Sequence, residues 1–549
     1  MNIAKIHIKN FKIFKDSFYM SLNKGLNILV GDNESGKSTI LEAIHLALTG
    51  LYNGKYLRNE LTQYLFNNEI VEEYIFGVNQ GNNTQPLPYI LIEVFIEGEN
   101  LHEFWGDGHS DMDNKLGSYG ISIKIAFDDR YQDEYEKLIN LGEIKTLPIE
   151  YYSILWSDFA RNENISAKNI PIKSALIDSM SNRFQNGSDI YISHIVKELL
   201  DVDEIVQISQ AHRMMKDYFL ATKAIENINE KIKTSSKITD KNIELSVELT
   251  SKNAWENSLM TYLDNIPFHQ IGKGEQCIIK TKLALSYNKV KKSNVILLEE
   301  PENHLSHSKL NQLINDLKNN NKDKQIIIST HNSFVANKLG LEHLVLLNNQ
   351  LSLKLSELSD GTQRFFEKLP GYDTLRLLLC KKAILVEGPS DELIVQKAFM
   401  VYNEGKLPIE MGIDVISVGT SFLRFLEIAK HIEKTVLVIT DNDGNLEAIQ
   451  KKYSEYLEKK EKPFIKICFD NEINTGIIES FNYNTLEPNL LKANSVEKMN
   501  KIFSTMFDSE NEMNKYMSVN KTECALNIFE SKEVIKFPKY IMDAIDYVK

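Results

Sequence analysis

Short, largely apolar runs that end at a charged or small polar residue recur along this chain and predict buried strands. Leu26–Val30, Val295–Leu298, Ile326–Ile328, Ile384–Val386 and Thr435–Thr440 are of this kind. Strands covered by helices on both faces of a parallel sheet are continuously apolar in this way. Segments with apolar residues at helical spacing separate many of the runs. The pattern therefore predicts an α/β protein built on parallel sheets.

Two regions depart from this pattern. Residues 1–30 and about 50–150 alternate apolar and polar positions or carry Asn- and Gly-rich turns, so we predict mostly strands there. From about Ile170 to Asn257 the spacing predicts long amphipathic helices, without the sustained heptads of an extended coiled coil. This stretch is either a compact insertion that packs on a partner subunit or a plain helical subdomain. Residues 356–379 predict a linker helix.

These boundaries divide the 549 residues into five segments. We predict two lobes of one domain at 1–165 and 261–350, a helical insertion at 166–260, a linker at 351–380, and a second α/β domain with a C-terminal helical segment at 381–549.

Composition narrows the class of protein. Hydrophobic residues make up 42% and charged residues 25%, as in ordinary soluble proteins, and no run reaches the about 18 apolar residues of a membrane span. We expect a cytoplasmic protein with no membrane contact. Four scattered cysteines predict buried free thiols. A net charge of −13 does not suggest a nucleic-acid coat protein, but a local basic stripe is enough to bind DNA.

A phosphate-binding loop follows the first apolar run. GDNESGKST matches G-x-x-x-x-G-K-[ST] at Gly31, Gly36, Lys37 and Ser38, between a predicted strand and a predicted helix. Backbone N–H groups and the helix N-terminus would hold the phosphates, Lys37 would reach the β/γ oxygens, and Ser38 would bind Mg²⁺. We predict an ATP site here, to which Asn33 and Thr39 of the same segment also contribute.

The second half of a nucleotide site follows in the later lobe. A glycine-rich helix start contains Gly272 and Gly274, and the strand Val295–Leu298 then delivers Glu299 and Glu300. An acid at a strand end suits Mg²⁺ or its water, and a second acid suits the attacking water. We predict the first role for Glu299 and the second for Glu300. His331 follows the next strand.

This order of elements resembles the ABC-type ATPase head. The resemblance implies that Gly272 and Gly274 are signature glycines that cap ATP in a second subunit, so that nucleotide binding accompanies dimerisation, and that His331 is the switch histidine. Ile271 stands where the family usually has a serine, which puts efficient hydrolysis in question. A metal-sensing glutamine is expected in some such ATPases, and Gln80 and Gln85 both remain candidates.

Acidic residues follow two strands in the last third of the chain. Glu387 ends Ile384–Val386, and Asp391 opens the next helix; Asp441 and Asp443 end the strand at Thr440. Ligands of open α/β sheets bind at such carboxyl ends. Carboxylates there hold two Mg²⁺ or Mn²⁺ ions about 4 Å apart in phosphodiester-cleaving enzymes. Glu392 is an alternative to Asp391, since adjacent helix positions point in different directions.

A glutamate at one strand end with D-x-D at another is similar to the Toprim pattern. An ABC-type head followed by a Toprim domain resembles the overcoming-lysogenisation-defect (OLD) nucleases, which include the nuclease subunit of Gabija anti-phage systems and retron-associated nucleases. The resemblance implies a further metal acid at Glu487 and a lysine at Lys521 that stabilises charge on the phosphate, and it matches the glycine turn at 417–420.

The resemblance implies an ATP-binding, metal-dependent DNA endonuclease of bacterial anti-phage defence, in which the ATPase head controls two-metal phosphodiester hydrolysis at the Toprim site. Its implied partners are DNA, further copies of itself through the heads and the insertion, and a helicase-like protein or a reverse transcriptase with its DNA. The alternative is a DNA-repair ATPase that clamps DNA and uses the Toprim fold for docking. A topoisomerase or primase is disfavoured, because no gate domain or zinc module fits the chain.

Overall fold

The structure is a computed structural model of the whole chain. It describes residues 1–32, 34–53, 55–81, 86–110, 117–163, 165–178, 184–185, 188–189, 200–235, 245, 262–286, 293–303, 305–320, 323–331, 343–348, 350–354, 357–368, 376–377, 380–457 and 463–549.

The strands, in chain order, are β1 Asn2–Lys9, β2 Ser17–Ser21, β3 Leu26–Gly31, β4 Leu51–Tyr52, β5 Lys55–Tyr56, β6 Ile90–Glu97, β7 Trp105–Gly106, β8 Ser118–Phe127, β9 Tyr152–Asp158, β10 Ser174–Asp178, β11 Phe184–Gln185, β12 Ser188–Asp189, β13 Tyr262–Leu263, β14 Ile266–Pro267, β15 Val295–Glu299, β16 Gln325–Thr330, β17 Leu344–Asn348, β18 Leu351–Lys354, β19 Lys382–Val386, β20 Ile413–Ser417, β21 Thr435–Ile439 and β22 Ile465–Cys468.

The α-helices are α1 Lys37–Thr49, α2 Leu57–Glu60, α3 Asn68–Asn79, α4 Gln132–Asn140, α5 Val202–Leu220, α6 Lys223–Ser235, α7 Lys273–Ser286, α8 His307–Asn320, α9 Asp360–Lys368, α10 Pro389–Tyr402, α11 Phe422–His431, α12 Leu446–Lys452, α13 Ser454–Leu457, α14 Leu486–Ala493, α15 Val496–Phe503, α16 Glu510–Val519, α17 Lys521–Glu530 and α18 Lys539–Val548.

Two sheets form the first part of the chain, which we call the head. An antiparallel sheet has the order β2-β1-β6-β8-β7, with β9 also on β8. The second sheet has the order β10-β15-β16-β3-β17-β18 and is parallel except for the β17–β18 hairpin. Most of helix α1 is buried, and it packs between the two sheets in one core. Because β15, β16 and β3 are parallel neighbours, the segments that follow them meet at one edge.

A four-stranded parallel sheet, β20-β19-β21-β22, forms the second unit. The five residues of β19 pair with β20 on one side, and four of them pair with β21 on the other. Helices α10, α14, α17 and α18 cover one face in a continuous apolar core. The carboxyl ends of β19 and β21 are neighbours, so the acids that follow these two strands come close together.

One apolar core joins the head to the second unit. It contains Ile28 and Ile328 of the parallel head sheet together with Leu385 and Phe425 of the second unit. Phe366 of the linker helix α9 lies between them, and its ring packs edge-on against Phe425 at 5.3 Å between centroids. The linker is therefore part of the core between the two units.

Polar contacts add to this junction. Glu427 of α11 accepts hydrogen bonds from the Ser359 backbone N–H (2.6 Å) and the Thr362 hydroxyl (2.5 Å) at the start of α9. The Asn348 side-chain amide donates to the Ile432 carbonyl at 2.7 Å. These bonds fix the end of β17 in the head against the turn before β21.

The predicted α/β class and the central strands are confirmed. The mostly-strand prediction for 50–150 is wrong at α3 and α4, where apolar residues at helical spacing pack on the head. The helical prediction from Ile170 is wrong at its start, because Ser174–Asp178 forms β10 and pairs with β15. Helices α5 and α6 do lie in this stretch, whereas residues 246–261 fall outside the described residues.

All four cysteines are buried free thiols, as predicted. Among the described residues, no helix combines the length and apolarity that crossing a membrane requires.

Substitution of Phe366 by alanine tests the shared core. The side chain is 1% exposed, so we expect a loss of about 3–5 kcal/mol in the free energy of unfolding. Thermal unfolding should show one transition at a lower temperature. Phe76→Ala is the control, because Phe76 is 70% exposed. Equal behaviour of the two variants would contradict the role of Phe366.

Candidate functional site

The phosphate-binding loop leads from β3 into α1. Lys37 is 6% exposed, and its ammonium donates to the carbonyl oxygens of Gly31 (3.0 Å) and Asp32 (2.8 Å) and to the Ser35 hydroxyl (3.4 Å). Burial lowers the pKa of Lys37. Nearby acids oppose this shift, and the charge of Glu300 contributes most among them. The lysine is thus held over the loop, on the side where the acids of the next strands lie.

Two glycines in this loop are required by its geometry. Gly36 has φ +90°, and a Cβ there would lie 2.6 Å from the Phe14 ring. A Cβ on Gly31 would lie 2.5 Å from the Leu347 carbonyl oxygen. Larger residues would therefore strain the backbone and displace the loop from β17.

The carboxyl ends of β15 and β16 bring Glu300 and His331 together. His331 Nδ1 is 3.2 Å from Glu300 Oε1, and the Asn303 side-chain amide donates to Glu300 Oε2 at 2.7 Å. Glu300 has φ +39°, an uncommon conformation for a residue with a side chain. Two neighbours thus hold this carboxylate at the sheet edge that also carries Lys37.

Sequence reasoning missed Glu302. Its Oε1 accepts a hydrogen bond from the Thr330 hydroxyl at 2.5 Å and lies 3.9 Å from His331 Nδ1. Its Oε2 is buried without a hydrogen-bond partner, and burial raises the pKa of Glu302. The sequence does show a third carboxylate in the run Glu299–Glu302. Its burial, however, depends on contact with β16, which lies more than 20 residues further along the chain.

The other residues that we predict to bind nucleotide lie on the elements of the head or outside the part of the chain that the structure describes. Ser38 and Thr39 are in the first turn of α1, and Glu299 ends β15. Gly272 precedes α7 on an exposed surface, and Gly274 is in its first turn. Gln80 is exposed after α3. Two residues lie outside the described residues: Asn33 and Gln85.

The second cluster of predicted residues lies at the carboxyl edge of the β19–β21 pair, which we call the acid edge. Glu387 follows β19 and is exposed; its carbonyl accepts bonds from Gly419 N (3.0 Å) and Ser417 Oγ (3.1 Å). Asp391 caps α10, since its Oδ2 accepts from Gly388 N at 2.8 Å. The glycine turn therefore braces the residue that carries the first acid.

Burial and mutual repulsion raise the pKa values of the two inner acids. Desolvation raises the pKa of Asp391 to about 6, and Glu487 and Glu387 add to the shift. Desolvation also raises the pKa of Asp441 well above its usual range, with additions from Asp391, Glu487, Glu387 and Asp443. These five carboxylates therefore act on one another at one edge.

Glu392 does not share this cluster. It faces Arg376, whose Nη2 lies 3.3 Å from its Oε1, and Arg376 also binds Asp414 at 2.7 Å. Of the two alternatives on α10, Asp391 is the one directed to the acid edge.

Glu487 and Lys521 come from separate helices. The Lys521 ammonium is 3.4 Å from Glu487 Oε2; the Lys521 side chain is 50% exposed and that of Glu487 is 6% exposed. Glu487 also accepts from the Thr485 hydroxyl at 3.1 Å. A half-exposed cation thus stands over a buried acid beside Asp441.

The middle residue of the Asp441–Asp443 segment was also missed by the sequence. Asn442 is 2% exposed, and its side-chain amide donates to the carbonyls of Asp470 (2.7 Å) and Glu472 (2.8 Å). Its side-chain oxygen accepts from Gly444 N at 2.9 Å. These bonds fix the loop so that Asp441 turns inward and Asp443, with φ +48°, outward.

The donor chemistry of the acid edge fits a hard divalent cation. Its ligands would be carboxylate oxygens, which Mg²⁺ and Mn²⁺ prefer. Within the described ranges, however, no three His, Cys, Asp or Glu side chains converge at metal-binding spacing. Asp391 and Asp441 instead accept backbone N–H bonds, Asp441 from Leu486 at 3.3 Å.

Comparison with protein families gives two matches. The family described as "AAA ATPase domain" matches residues 1–336, and "Overcoming lysogenization defect protein-like, TOPRIM domain" matches residues 378–443. The first covers more than half of the chain. The second includes β19, β21 and four of the five carboxylates of the acid edge, all except Glu487.

Curated relatives resemble the chain over most of its length. "Endonuclease GajA" of Bacillus cereus (strain HuB5-5) is 21% identical over 82% of this chain and 75% of its own. "Retron Vc95 probable ATPase" of Vibrio cholerae serotype O1 biovar El Tor is 20% identical over 74% of this chain and 85% of its own. "Retron Ec83 probable ATPase" of Escherichia coli is 22% identical over 64% and 73%.

Solved structures overlap weakly. The SMC head domain of Pyrococcus furiosus bound to the C-terminal domain of ScpA covers 65% of this chain and 97% of its own, at 14% identity and a TM-score of 0.31. An SMC head domain from Thermotoga maritima covers 64% and 97%, at 17% identity and a TM-score of 0.28. Overlaps this low do not identify a fold.

Without metal, the buried charge of Asp391 should make stability depend on pH. Its folded pKa of about 6 exceeds the ordinary 3.8, so the folded state binds the extra proton between these values. Stability should rise as pH falls from about 7 towards 5. We expect Asp391→Asn, measured by thermal unfolding in EDTA, to remove part of this slope and to be more stable at pH 7.5 by on the order of 2 kcal/mol.

Glu497→Asn is the control for this measurement, because Glu497 is exposed on α15. Identical pH profiles of the wild type and Asp391→Asn would show that Asp391 carries no buried charge.

Proposed function

Since the chain belongs to the AAA ATPase domain family and carries an OLD-like Toprim domain, we propose that it is an ATP-binding, metal-dependent DNA endonuclease. One observation carries the proposal: adjacent parallel strands end in Glu387 and Asp441, and five carboxylates interact at this edge. Carboxylate clusters of this kind perform phosphodiester hydrolysis with two metal ions. One relative is named an endonuclease.

The metal ligands in this proposal are the acids of the acid edge: Glu387, Asp391, Asp441, Asp443 and Glu487. Bound Mg²⁺ or Mn²⁺ would supply an activated water and neutralise the scissile phosphate. The chain itself contributes the rest of the site. Glu387 and Asp443 are exposed to incoming DNA, whereas Asp391 and Asp441 lie deeper. Lys521, half-exposed beside Glu487, would stabilise charge on the phosphate.

The head would bind ATP with Mg²⁺. Lys37 would exchange its loop carbonyls for phosphate oxygens, and Ser38 and Glu299 would bind the ion directly or through water. Glu300 is proposed to orient the attacking water, because His331 and Asn303 already hold its two oxygens.

We further propose assembly into a dimer or larger oligomer. Helix α5 exposes a cluster of large apolar side chains, and large exposed apolar patches are typical of interfaces. The cluster consists of Met214, Met215, Tyr218 and Phe219. Gly272 and Gly274 are proposed to meet ATP held by the second subunit. We also propose, from the family resemblance, a role in anti-phage defence with a helicase-like protein or a reverse transcriptase and its DNA. Among the relatives, one is named an endonuclease and another a retron ATPase.

The second candidate function is a DNA-clamping ATPase whose Toprim domain only docks. Two observations favour it. Among the described residues, no three side chains converge at metal-binding spacing. The carboxylates of Asp391 and Asp441 also accept hydrogen bonds from backbone N–H groups.

Plasmid cleavage separates the two functions. Supercoiled plasmid with Mg²⁺ or Mn²⁺ should be nicked or linearised, with and without ATP as separate arms. Glu387→Gln should reduce the rate at least about 100-fold, because a lost metal ligand removes several kcal/mol of transition-state stabilisation. Glu497→Gln, an exposed acid on α15, should cleave like the wild type.

Cleavage that survives Glu387→Gln would refute the site. DNA binding without cleavage by the wild type, in every metal and nucleotide condition, would favour the clamp.

Nucleotide binding tests the head. Lys37→Ala should weaken ATP affinity about 10- to 100-fold, since each hydrogen bond to a charged group contributes about 1.5–3 kcal/mol. Isothermal titration or fluorescent-nucleotide displacement gives the value. Lys24→Ala, whose side chain is 80% exposed, should leave the affinity unchanged. Equal affinities of the wild type and Lys37→Ala would refute the nucleotide site.

A further inference from the structure

A loop with exposed isoleucines stands beside the acid edge. It joins β22 to α14 over residues 469–485, and we call it the β22–α14 loop. Ile477 is 89% exposed and Ile473 is 52% exposed, whereas Ile478 and Phe481 are partly covered. Single exposed apolar residues are normal on protein surfaces, but two in one loop beside a substrate site point to a contact made there.

Asparagine side chains hold the base of this loop. The Asn474 backbone N–H donates to Asn484 Oδ1 at 2.6 Å, and the Asn484 side-chain amide donates to the Asn474 carbonyl at 2.9 Å. The Asn474 side-chain amide also donates to Asn489 Oδ1 of α14 at 3.0 Å. These bonds join the two arms of the loop to each other and to the helix that carries Glu487.

Tyr483 supports the tip of the loop. Gly476 lies against the Tyr483 ring, so closely that a Cβ on Gly476 would be 2.0 Å from it. The Tyr483 hydroxyl accepts a hydrogen bond from the Ile478 backbone N–H at 3.0 Å and donates one to Asn511 Oδ1 of α16 at 3.3 Å. Ile477 lies between the two supported residues, so its exposure follows from the way the backbone is held.

The same loop contacts an acid of the acid edge. The Asn482 side-chain amide donates to Asp443 Oδ1 at 2.8 Å. Asn482 and Tyr483 are consecutive, so their Cα atoms are about 3.8 Å apart, and this chain of contacts places Ile477 within roughly 20 Å of Asp443. Base pairs follow one another every 3.4 Å, so this distance corresponds to at most about six base-pair steps.

We propose that Ile477 is a wedge that enters a base step of duplex DNA held at the acid edge. Apolar side chains, isoleucine among them, unstack base steps in this way and kink the duplex. The kink would turn the scissile phosphate towards Glu387 and Asp441. Because pyrimidine–purine steps such as TA unstack most easily, the loop would select deformable sites. This inference rests on the proposed function and adds a determinant of substrate choice.

Duplex DNA suits this position better than a partner protein. Asp443, which the loop contacts, and Glu387 are both exposed, so substrate would reach the acid edge from this side. A protein seated on Ile477 would stand over part of that approach. Lys492 is 55% exposed and lies 2.9 Å from Glu472 Oε2, so it offsets an acid of the loop that would otherwise repel DNA.

Unstacking can be measured without cleavage. The probe is a duplex with 2-aminopurine at a central TA step, mixed with saturating Glu387→Gln protein and Mg²⁺. Its fluorescence should rise at least about twofold on binding, because an unstacked base is no longer quenched by its neighbours. Adding Ile477→Ala to the same protein should abolish the rise, whereas Ile477→Leu should retain it.

Cleavage by the chain without the Glu387 change gives the second measurement. Ile477→Ala should cut an intact duplex at least about tenfold more slowly, and a mismatch within six base pairs of the cut should bring it within about threefold of the wild type, since that step is already unstacked. Wild-type cuts should cluster near TA and CA steps, and Ile477→Ala should lose this preference. Leu141→Ala, an 85% exposed site on the head, is the matched control.

The two measurements separate failure of the wedge from failure of the nuclease proposal. A fluorescence rise that depends on Ile477, with no cleavage by the wild type, would support the wedge and refute the nuclease. Cleavage at equal rates by the wild type and Ile477→Ala would overturn the wedge alone. So would duplex binding without a fluorescence rise, or no duplex binding. A change in oligomeric state of Ile477→Ala by light scattering, with normal fluorescence, would overturn it in favour of a protein contact.

Discussion

The packing of one parallel sheet against another through a shared apolar core is the constraint on which this structure depends. Ile28 and Ile328 of the head lie in the same core as Leu385 and Phe425 of the second unit, with Phe366 of the linker between them. The starts of β19 and β21 lie beside the phosphate-binding loop, because Lys381 and Thr435 line the same cavity as Ser35. The acid edge therefore lies at the opposite, carboxyl end of β19 and β21.

Strand-end chemistry explains the two sites in similar terms. In each sheet, neighbouring parallel strands bring together residues far apart in sequence: Lys37 with Glu300 and His331, and Glu387 with Asp441. In each, a buried polar residue next to the functional acids holds the loop that carries them. Glu302 does this through Thr330, and Asn442 does it through the carbonyls of 470 and 472.

The sequence was sufficient for residues whose position follows from a strand end. Apolar runs located Glu299, Glu387 and Asp441, and glycine spacing located the phosphate-binding loop. Residues whose role depends on tertiary neighbours were not predictable. Glu302 is hydrogen-bonded to Thr330 of β16, and Asn442 to the carbonyls of Asp470 and Glu472. Lys521 and Glu487 followed only from family resemblance, because nothing local marks two residues on separate helices as partners. The helices α3 and α4 were missed because Asn- and Gly-rich turns around them suggested strands.

The hydrogen bonds of Asn442 have a consequence for protein engineering. The side chain bonds to two carbonyls of the 470–472 loop and to the N–H of Gly444. These bonds hold the Asp441–Asp443 segment and the 470–472 loop in a fixed relative position, although about 30 residues separate them. A graft of the Asp441–Asp443 segment alone onto another parallel sheet would lose the inward and outward orientation of its acids. The smallest transplantable unit is the pair of loops together with β22, the strand that leads into the second loop.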